Sequence, residues 1–147
     1  VLVFFGFVPV VCTYYLQSGT VSPASIAYGA ACGLVIDTLL VVNNFRDVDA
    51  DRLSGKRTII VLAGKRFGSA LYLLLGLAGV MLVTITAAVE GKAMAAVLPL
   101  FYALPHILAW RGMRRIWQGR ALNAILARTS MDMMLFALLI LAGALLS

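Results

Sequence analysis

Three of the six carboxylates in the sequence fall within five residues, at Asp47, Asp49 and Asp51. They belong to the segment 43–58, which reads NNFRDVDADRLSGKRT. If this segment is helical, Asp47 and Asp51 lie one turn apart, with Cβ atoms about 5–6 Å from each other. Two like charges at that spacing repel each other unless a cation lies between them. Because hard carboxylate oxygens without a neighbouring His or Cys suit Mg²⁺ better than zinc, the pattern indicates a magnesium site. A solvated loop of mixed charge shows the same spacing.

The helical period sorts the polar residues of this segment onto faces. At about 100° per residue, Asn44, Asp47 and Asp51 share one face. Asp49 is predicted to point away from it. Asp37 precedes Asn44 by seven residues and therefore lies near the same face, inside an otherwise apolar run. An ionisable residue within a membrane is a functional candidate, although a hydrogen bond to a neighbouring helix would account for Asp37 equally well.

Two basic residues follow the acidic pair. Lys56 and Arg57 come directly after Ser54-Gly55, a dipeptide typical of a turn. Mg²⁺ in proteins usually shares its coordination shell with substrate phosphate, and Lys and Arg are the side chains that bind phosphate oxygens. The segment therefore has the components of a site for a metal-bound diphosphate.

The rest of the sequence must place this segment at a membrane surface. Its 147 residues are 63% hydrophobic and 12% charged, with a mean hydropathy of +1.01. Ordinary globular proteins are about 45–50% apolar and 25% charged, so a water-soluble protein is excluded. Because a bilayer core needs about 20 apolar helical residues to cross it, we predict an all-α polytopic transmembrane helix bundle. Its five spans lie near residues 2–16, 24–45, 67–89, 93–110 and 130–146.

The basic residues alternate between the connections. Six lie between the second and third spans, five lie between the fourth and fifth, and the other two connections hold only Lys92. By the positive-inside rule, the 46–66 and 111–128 loops face the cytoplasm, which predicts a multi-pass protein of the inner (plasma) membrane. The net charge of +6 is explained by this orientation and by attraction to lipid headgroups or an anionic substrate. No nucleic-acid partner is implied.

The segment 43–58, followed by IIVLAG at 59–64, resembles the second aspartate-rich motif of the UbiA superfamily of intramembrane prenyltransferases. Its NNxRDxxxDxxxGKxT form is most similar to the MenA-type 1,4-dihydroxy-2-naphthoate polyprenyltransferases. Residues 1–19 and 126–147 also resemble that family, so the similarity covers nearly the whole chain. The resemblance implies a fold of nine transmembrane helices, of which these five would be the fifth to ninth.

The resemblance also implies roles for individual residues. Asp47 and Asp51 would hold Mg²⁺ on a polyprenyl diphosphate, and Lys56 would contact the diphosphate. The aromatic acceptor would be 1,4-dihydroxy-2-naphthoate, and the product would be demethylmenaquinone, in menaquinone biosynthesis. Further substrate-binding residues would be Asn43, Asn44, Arg46, Arg57 and Thr58. Asp37 and Asp49 receive no role from the resemblance.

Other functions fit parts of the same pattern. The acceptor could be a different aromatic compound such as 4-hydroxybenzoate, or a heme or chlorophyll precursor. A noncatalytic membrane transporter or scaffold could instead use Asp37 as a coupling carboxylate. We expect residues 1–147 to be the C-terminal part of a single prenyltransferase domain. The isolated chain is expected to be inactive, because the first acidic motif of the family would lie upstream.

Residues outside the acidic segment have simpler predicted roles. His106 has no second His or Cys at ligand spacing and is predicted to be a hydrogen-bonded helix residue. Arg128 and Asp132 are four residues apart and are predicted to pair on one helix face. Three aromatic residues near span ends are predicted to form an interfacial belt: Tyr102, Trp110 and Trp117.

Overall fold

The computed structural model describes residues 1–147, which form five helices and no strands. The helices are α1 (Leu2–Ser18), α2 (Pro23–Leu53), α3 (Ile59–Val89), α4 (Ala93–Ile116) and α5 (Leu122–Leu145). Helix α1 opens with a π-helical stretch at Leu2–Phe7, and α4 contains a 3₁₀ stretch at Leu98–Tyr102. The predicted all-α class is confirmed.

Four of the helices, α2 to α5, are long and apolar enough to cross a membrane, with 24 to 31 residues each. Helix α1 is apolar but shorter. The fold is therefore a transmembrane bundle with four full-length helices and a fifth, shorter apolar helix. The predicted spans correspond to these five helices in order.

Helix α2 is the longest helix without an internal break. A capping box fixes its first residue. The Ser22 hydroxyl accepts from the Ser25 backbone N–H at 3.0 Å, and the Ser25 hydroxyl accepts from the Ser22 N–H at 3.2 Å. Pro23 occupies the first turn, where its missing N–H costs nothing. With 31 residues, α2 is about 46 Å long, which exceeds the roughly 30 Å hydrocarbon core. Its charged last turns therefore extend beyond the apolar part of the bundle.

Glycines allow α1 to approach α2 closely. Gly29 and Gly33 form a GxxxG pair on α2, and Gly6 of α1 lies against it. A Cβ atom added to Gly6 would lie 2.5 Å from the Gly29 carbonyl oxygen and 2.6 Å from the Gly33 Cα. Such small-residue contacts are typical of helix pairs in membranes, where backbones must pack closely to gain dispersion energy.

Helices α3 and α4 are each irregular at one point. Helix α3 starts at Ile59, earlier than the predicted residue 67, and breaks at Gly64, whose φ of 85° is left-handed. Helix α4 changes to a 3₁₀ stretch around Pro99, because a proline lacks the N–H needed to continue an α-helix.

The end of α2 is anchored by the largest of the three apolar clusters. Phe45 and Val48 of α2 are fully or almost fully buried against α3, α4 and α5. Their partners include Ile60, Met113 and Leu122, all with no exposed surface. This packing fixes the rotation of α2 and therefore decides which of its polar residues face outward.

The buried His106 side chain is held by hydrogen bonds at both ring nitrogens. His106 Nε2 lies 3.1 Å from the Tyr72 carbonyl oxygen, which can only accept, so Nε2 carries the proton. Its Nδ1 then accepts from the Tyr102 hydroxyl at 3.3 Å. The predicted role of His106 is confirmed, and Arg128 pairs with Asp132 at 3.0 Å, also as predicted.

The predicted interfacial position of Tyr102 is wrong. Its side chain has no exposed surface. The ring packs between His106 and Phe136, with centroid distances of 5.3 and 5.1 Å. Because His106 Nδ1 accepts a hydrogen bond from its hydroxyl, Tyr102 can be buried among helices rather than at the lipid headgroups.

Candidate functional site

The polar end of the bundle is formed by residues 46–58, 65–66 and 111–123, which we call the basic end. The acidic segment lies here, on the last turns of α2. The helix continues through Asp51 to Leu53, so the one-turn spacing of Asp47 and Asp51 is confirmed. Asp49 is exposed, whereas the side chains of Asp47 and Asp51 are 34% and 8% exposed. The packing of α2 thus separates Asp49 from the other two carboxylates, as the helical period predicts.

Asp47 is held by a two-pronged contact with its neighbour. Arg46 Nε donates to Asp47 Oδ1 at 2.7 Å, and Nη2 donates to Oδ2 at 2.6 Å. Arg46 is itself fixed, because it also donates to Asn43 Oδ1 at 2.9 Å and to Asn123 Oδ1 at 3.0 Å. Arg46 and Asp47 both lie beyond the apolar stretch of α2. The hydrogen bonds from Arg46 lower the pKa of the Asp47 carboxyl. Asp47 is therefore ionised at neutral pH.

Asp51 has a different cation. Lys56 Nζ lies 3.1 Å from Asp51 Oδ1. The turn after α2 brings them together, because Gly55 adopts a left-handed φ of 73° and the Lys56 N–H donates to the Asp51 carbonyl at 2.9 Å. The charge of Lys56 also lowers the pKa of Asp47. Lys56 thus acts on both carboxylates and supplies the positive charge that two acids one turn apart require.

A concave polar surface lies beside Asp47. It has a volume of about 330 Å³ and is lined by Arg46, Asp47, Gly119, Arg120 and Asn123, none of which is apolar. Three of these residues come from the connection into α5 and its first turn, more than 70 positions along the chain. The sequence analysis missed their part in the site, since no spacing rule links residues so far apart. In the sequence, Arg120 is one of the basic residues that are predicted to orient the protein in the membrane.

An apolar cavity of about 320 Å³ lies next to this polar surface. Its lining residues are Val1, Phe5, Ile36, Leu39, Leu40, Asn43 and Leu126. Asn43 lines the apolar cavity and links it to the polar surface, because its side-chain oxygen accepts a hydrogen bond from Arg46. A molecule with an anionic head and an apolar tail matches this pair of surfaces.

The remaining candidate site residues do not line the polar surface beside Asp47. Asn44 is half-buried on α2 and makes no side-chain hydrogen bond, and Arg57 is exposed without an ion pair. The Thr58 hydroxyl accepts from the Val61 N–H at 3.3 Å and so caps α3. Asp37 is half-buried and has no hydrogen-bond partner in the chain. Metal and substrate contacts stay predictions for these residues and for the other candidates alike.

The chain offers a limited set of metal ligands. No group of three or more His, Cys, Asp or Glu side chains is close enough to hold a metal ion by itself. Asp47 and Asp51 supply hard carboxylate oxygens, and Mg²⁺ is often held by one or two carboxylates together with substrate phosphates. The donor set therefore fits a magnesium ion that arrives with a diphosphate.

Sequence comparison identifies the family. The UbiA prenyltransferase family matches residues 1–138. The chain belongs to this family. It is 35% identical, over 99% of its length, to the 1,4-dihydroxy-2-naphthoate octaprenyltransferases of Mycobacterium leprae and Mycobacterium tuberculosis.

A third relative is similar over a shorter stretch. The 1,4-dihydroxy-2-naphthoate octaprenyltransferase of Escherichia coli K12 is 46% identical over 65 residues, which is 44% of this chain and 21% of that protein. The chain covers 48% of each mycobacterial relative, and thus spans about half the length of those proteins. No solved structure matches it. Membership of the UbiA family confirms the resemblance on which the predicted site residues rest.

Proposed function

We propose that the protein containing this chain transfers a polyprenyl group from polyprenyl diphosphate to 1,4-dihydroxy-2-naphthoate. The reaction depends on Mg²⁺ and gives the quinol form of demethylmenaquinone, for menaquinone synthesis. The observation that carries the proposal is the acidic pair Asp47 and Asp51, each paired with a cation, Arg46 or Lys56, at the polar end of a UbiA-family helix bundle. Three relatives named as 1,4-dihydroxy-2-naphthoate octaprenyltransferases support the choice of acceptor.

Asp47 and Asp51 would hold the magnesium ion, which when bound offsets negative charge that builds up on the departing diphosphate. Arg46 and Lys56, which pair with these carboxylates in the structure, would donate to diphosphate oxygens. Arg120 adds a further positive charge on the same concave surface. These cations stabilise the leaving group most strongly as its charge develops, so they lower the barrier to breaking the allylic C–O bond.

The apolar side of the site would receive the rest of the donor. The neighbouring cavity, lined mainly by α1 and α2, suits a polyisoprenyl chain. When the C–O bond breaks, the diphosphate leaves with the electron pair, and the allylic carbon must meet the aromatic ring before it meets water. Burial among membrane helices excludes that water. The ring carbon that bears the carboxylate forms the new bond, and the carboxylate leaves as CO₂, which restores the aromatic ring.

The side of the membrane follows from the same charges. The basic end carries eleven of the twelve Lys and Arg residues, counting Arg128 in the second turn of α5. We therefore propose that the site opens to the cytoplasmic side of the plasma membrane.

An assay of the full-length protein in proteoliposomes tests the proposal. The protein receives a polyprenyl diphosphate and either 1,4-dihydroxy-2-naphthoate or 4-hydroxybenzoate, with Mg²⁺ or with EDTA, and products are measured by mass spectrometry. We expect prenylated naphthoquinol only when the naphthoate and Mg²⁺ are both present. Equal or faster transfer to 4-hydroxybenzoate would contradict the acceptor, and transfer in EDTA would contradict the metal. Absence of any transfer by folded protein would favour a noncatalytic membrane role.

A further inference from the structure

A second cavity at the basic end is separate from the acidic pair. It lies between the ends of α3 and α4, has a volume of about 300 Å³, and is lined by Arg66, Ser69, Ala70, Trp110, Arg114 and Trp117. It shares no lining residue with the concave surface beside Asp47. The proposed prenyl transfer leaves it without a role.

Two arginines line this cavity without a carboxylate partner. The four ion pairs of the structure use Arg46, Lys56, Lys92 and Arg128. Arg66 and Arg114 are exposed and take part in none of them. The Arg114 guanidinium lies 5.0 Å from the centre of the Trp110 ring, which positions it over an aromatic face. Two guanidinium groups beside one cavity repel each other unless an anion lies between them.

The walls of the cavity are fixed by hydrogen bonds. Trp110 Nε1 donates to the Ser69 carbonyl at 3.0 Å and to the Ser69 hydroxyl oxygen at 3.1 Å. Ser69 Oγ accepts the hydrogen bond from Trp110 and donates none. Its hydroxyl proton is therefore free to be donated to a ligand. Ser69 is 5% exposed, so this donor is held in place inside the wall.

Trp117 forms another part of the wall of the cavity. It has a left-handed φ of 62°, which is unusual for a large residue and needs support from its surroundings. That support comes from Lys65, whose Nζ donates to the Trp117 carbonyl at 3.0 Å. The Trp117 ring also meets the Phe45 ring edge to face, with centroids 5.4 Å apart. These contacts hold an aromatic side chain beside two cations.

We propose that this cavity binds the phosphate headgroup of an anionic phospholipid from the leaflet at the basic end. Arginine pairs bind phosphate oxygens in a forked geometry, and tryptophans are enriched where helices meet lipid headgroups. Basic pockets between transmembrane helices are a known means of binding anionic headgroups. The cavity combines these features at one position in the bundle.

Native mass spectrometry of the full-length protein tests the proposal with phosphatidylglycerol and phosphatidylcholine as probes. The test variant is Arg66→Gln/Arg114→Gln. The control is Arg111→Gln/Arg115→Gln, which removes the same charge from two exposed, unpaired arginines outside the cavity. We expect retention of phosphatidylglycerol over phosphatidylcholine, an approximately 30-fold loss of affinity in the test variant, and little change in the control. The fold-change follows from roughly 1 kcal/mol for each basic residue near a membrane surface.

Two further measurements distinguish a specific lipid site from general attraction between charges. The variant Arg66→Lys/Arg114→Lys keeps the charge but loses the forked donors, and we expect its affinity for phosphatidylglycerol to lie between those of the unmodified protein and the Gln variant. Competition with inorganic phosphate separates a lipid from a soluble anion, and we expect millimolar phosphate to leave the lipid bound. Equal losses in the test and control variants, or displacement of the lipid by phosphate, would overturn the proposal.

Discussion

The two carboxylates of the acidic pair are alike in sequence but are placed in different surroundings. Asp47 is partly exposed, lines a polar surface and is bound by both prongs of Arg46. Asp51 is nearly buried and meets only the flexible Lys56, whose side chain is 68% exposed. A rigid cation on one acid and a mobile one on the other suit a site that must accept and release a highly charged ligand.

The acidic pair can be tested by neutral substitutions of the same shape. For Asp47→Asn and Asp51→Asn we expect prenyl transfer by the full-length protein to fall at least about 100-fold, because each removes charge that would hold the metal on the diphosphate. The rate is measured over a range of Mg²⁺ concentrations. The matched control is Asp49→Asn, an exposed acid on the same helix, for which we expect nearly normal activity. Normal turnover in Asp47→Asn would remove Asp47 from the metal site.

Lys56 is expected to act on substrate binding. Replacing it by Ala removes a charged donor to the diphosphate, so we expect kcat/KM to fall about 10- to 100-fold, the range for one hydrogen bond to a charged group. Steady-state kinetics at varied polyprenyl diphosphate concentration measure this. Arg52→Ala serves as the control, because Arg52 is exposed, unpaired and at the same end of α2. An unchanged kcat/KM in Lys56→Ala would place Lys56 outside the site.

At the scale of the helices, the site depends on the length and rotation of α2. The helix extends beyond the thickness of the hydrocarbon core, which carries Asp47 and Asp51 out of the apolar region. Its rotation is fixed by buried Phe45 and Val48, and the Gly55 turn then returns Lys56 toward Asp51. The positions of the charged groups are therefore a consequence of apolar packing on the other side of the same helix.

Close contact between α3 and α4 depends on Gly76. A Cβ atom added there would overlap the imidazole of His106, which is fully buried and bonded to two carbonyl oxygens of α3. We expect Gly76→Ala to lower the free energy of unfolding by about 1–3 kcal/mol, as overpacking does in well-packed cores. The thermal midpoint of the purified full-length protein in detergent measures the effect.

The control for this prediction is Gly112→Ala in α4. There the added Cβ would meet only the Ile125 Cδ1 atom, at 2.8 Å, which is the end of a flexible side chain. Since Ala also favours a helix over Gly, we expect little change in the thermal midpoint. Equal midpoints for Gly76→Ala and the unmodified protein would show that the His106 contact is not tight.

At the scale of the whole molecule, charge is sorted between the two ends of the bundle. At the end opposite the basic end, the only charged side chains are Lys92 and Glu90, which form an ion pair at 3.3 Å. We expect the basic end to face the cytoplasm, because positively charged loops are retained there. Single cysteines in a cysteine-free full-length protein test this with a membrane-impermeant maleimide. Thr20→Cys should be labelled in intact cells, whereas Ser54→Cys and Gln118→Cys should react only after permeabilisation. The opposite labelling pattern would reverse the proposed orientation.

Much of the fold was predictable because membranes impose simple rules. The order and type of the five helices follow from apolar runs of sufficient length, and the helical acidic face follows from the 3.6-residue period. Helix ends were less predictable: α2 and α4 continue to Leu53 and Ile116, past the predicted membrane spans that end at 45 and 110, because charged residues can continue a helix outside the lipid. The buried position of Tyr102 was also missed, since its burial depends on helix packing, which places its ring against Phe136 of α5.

By itself the sequence determined the class of the protein, the helical spacing of Asp47 and Asp51, and the alternation of charge between its connections. These features depend on neighbouring residues, so local periodicity and hydropathy are enough to define them. Only the tertiary structure brought Arg120 and Asn123 beside Asp47, and Arg66 beside Arg114. Such pairs lie far apart along the chain, and their distances are decided by how the helices pack, which depends on every buried side chain at once.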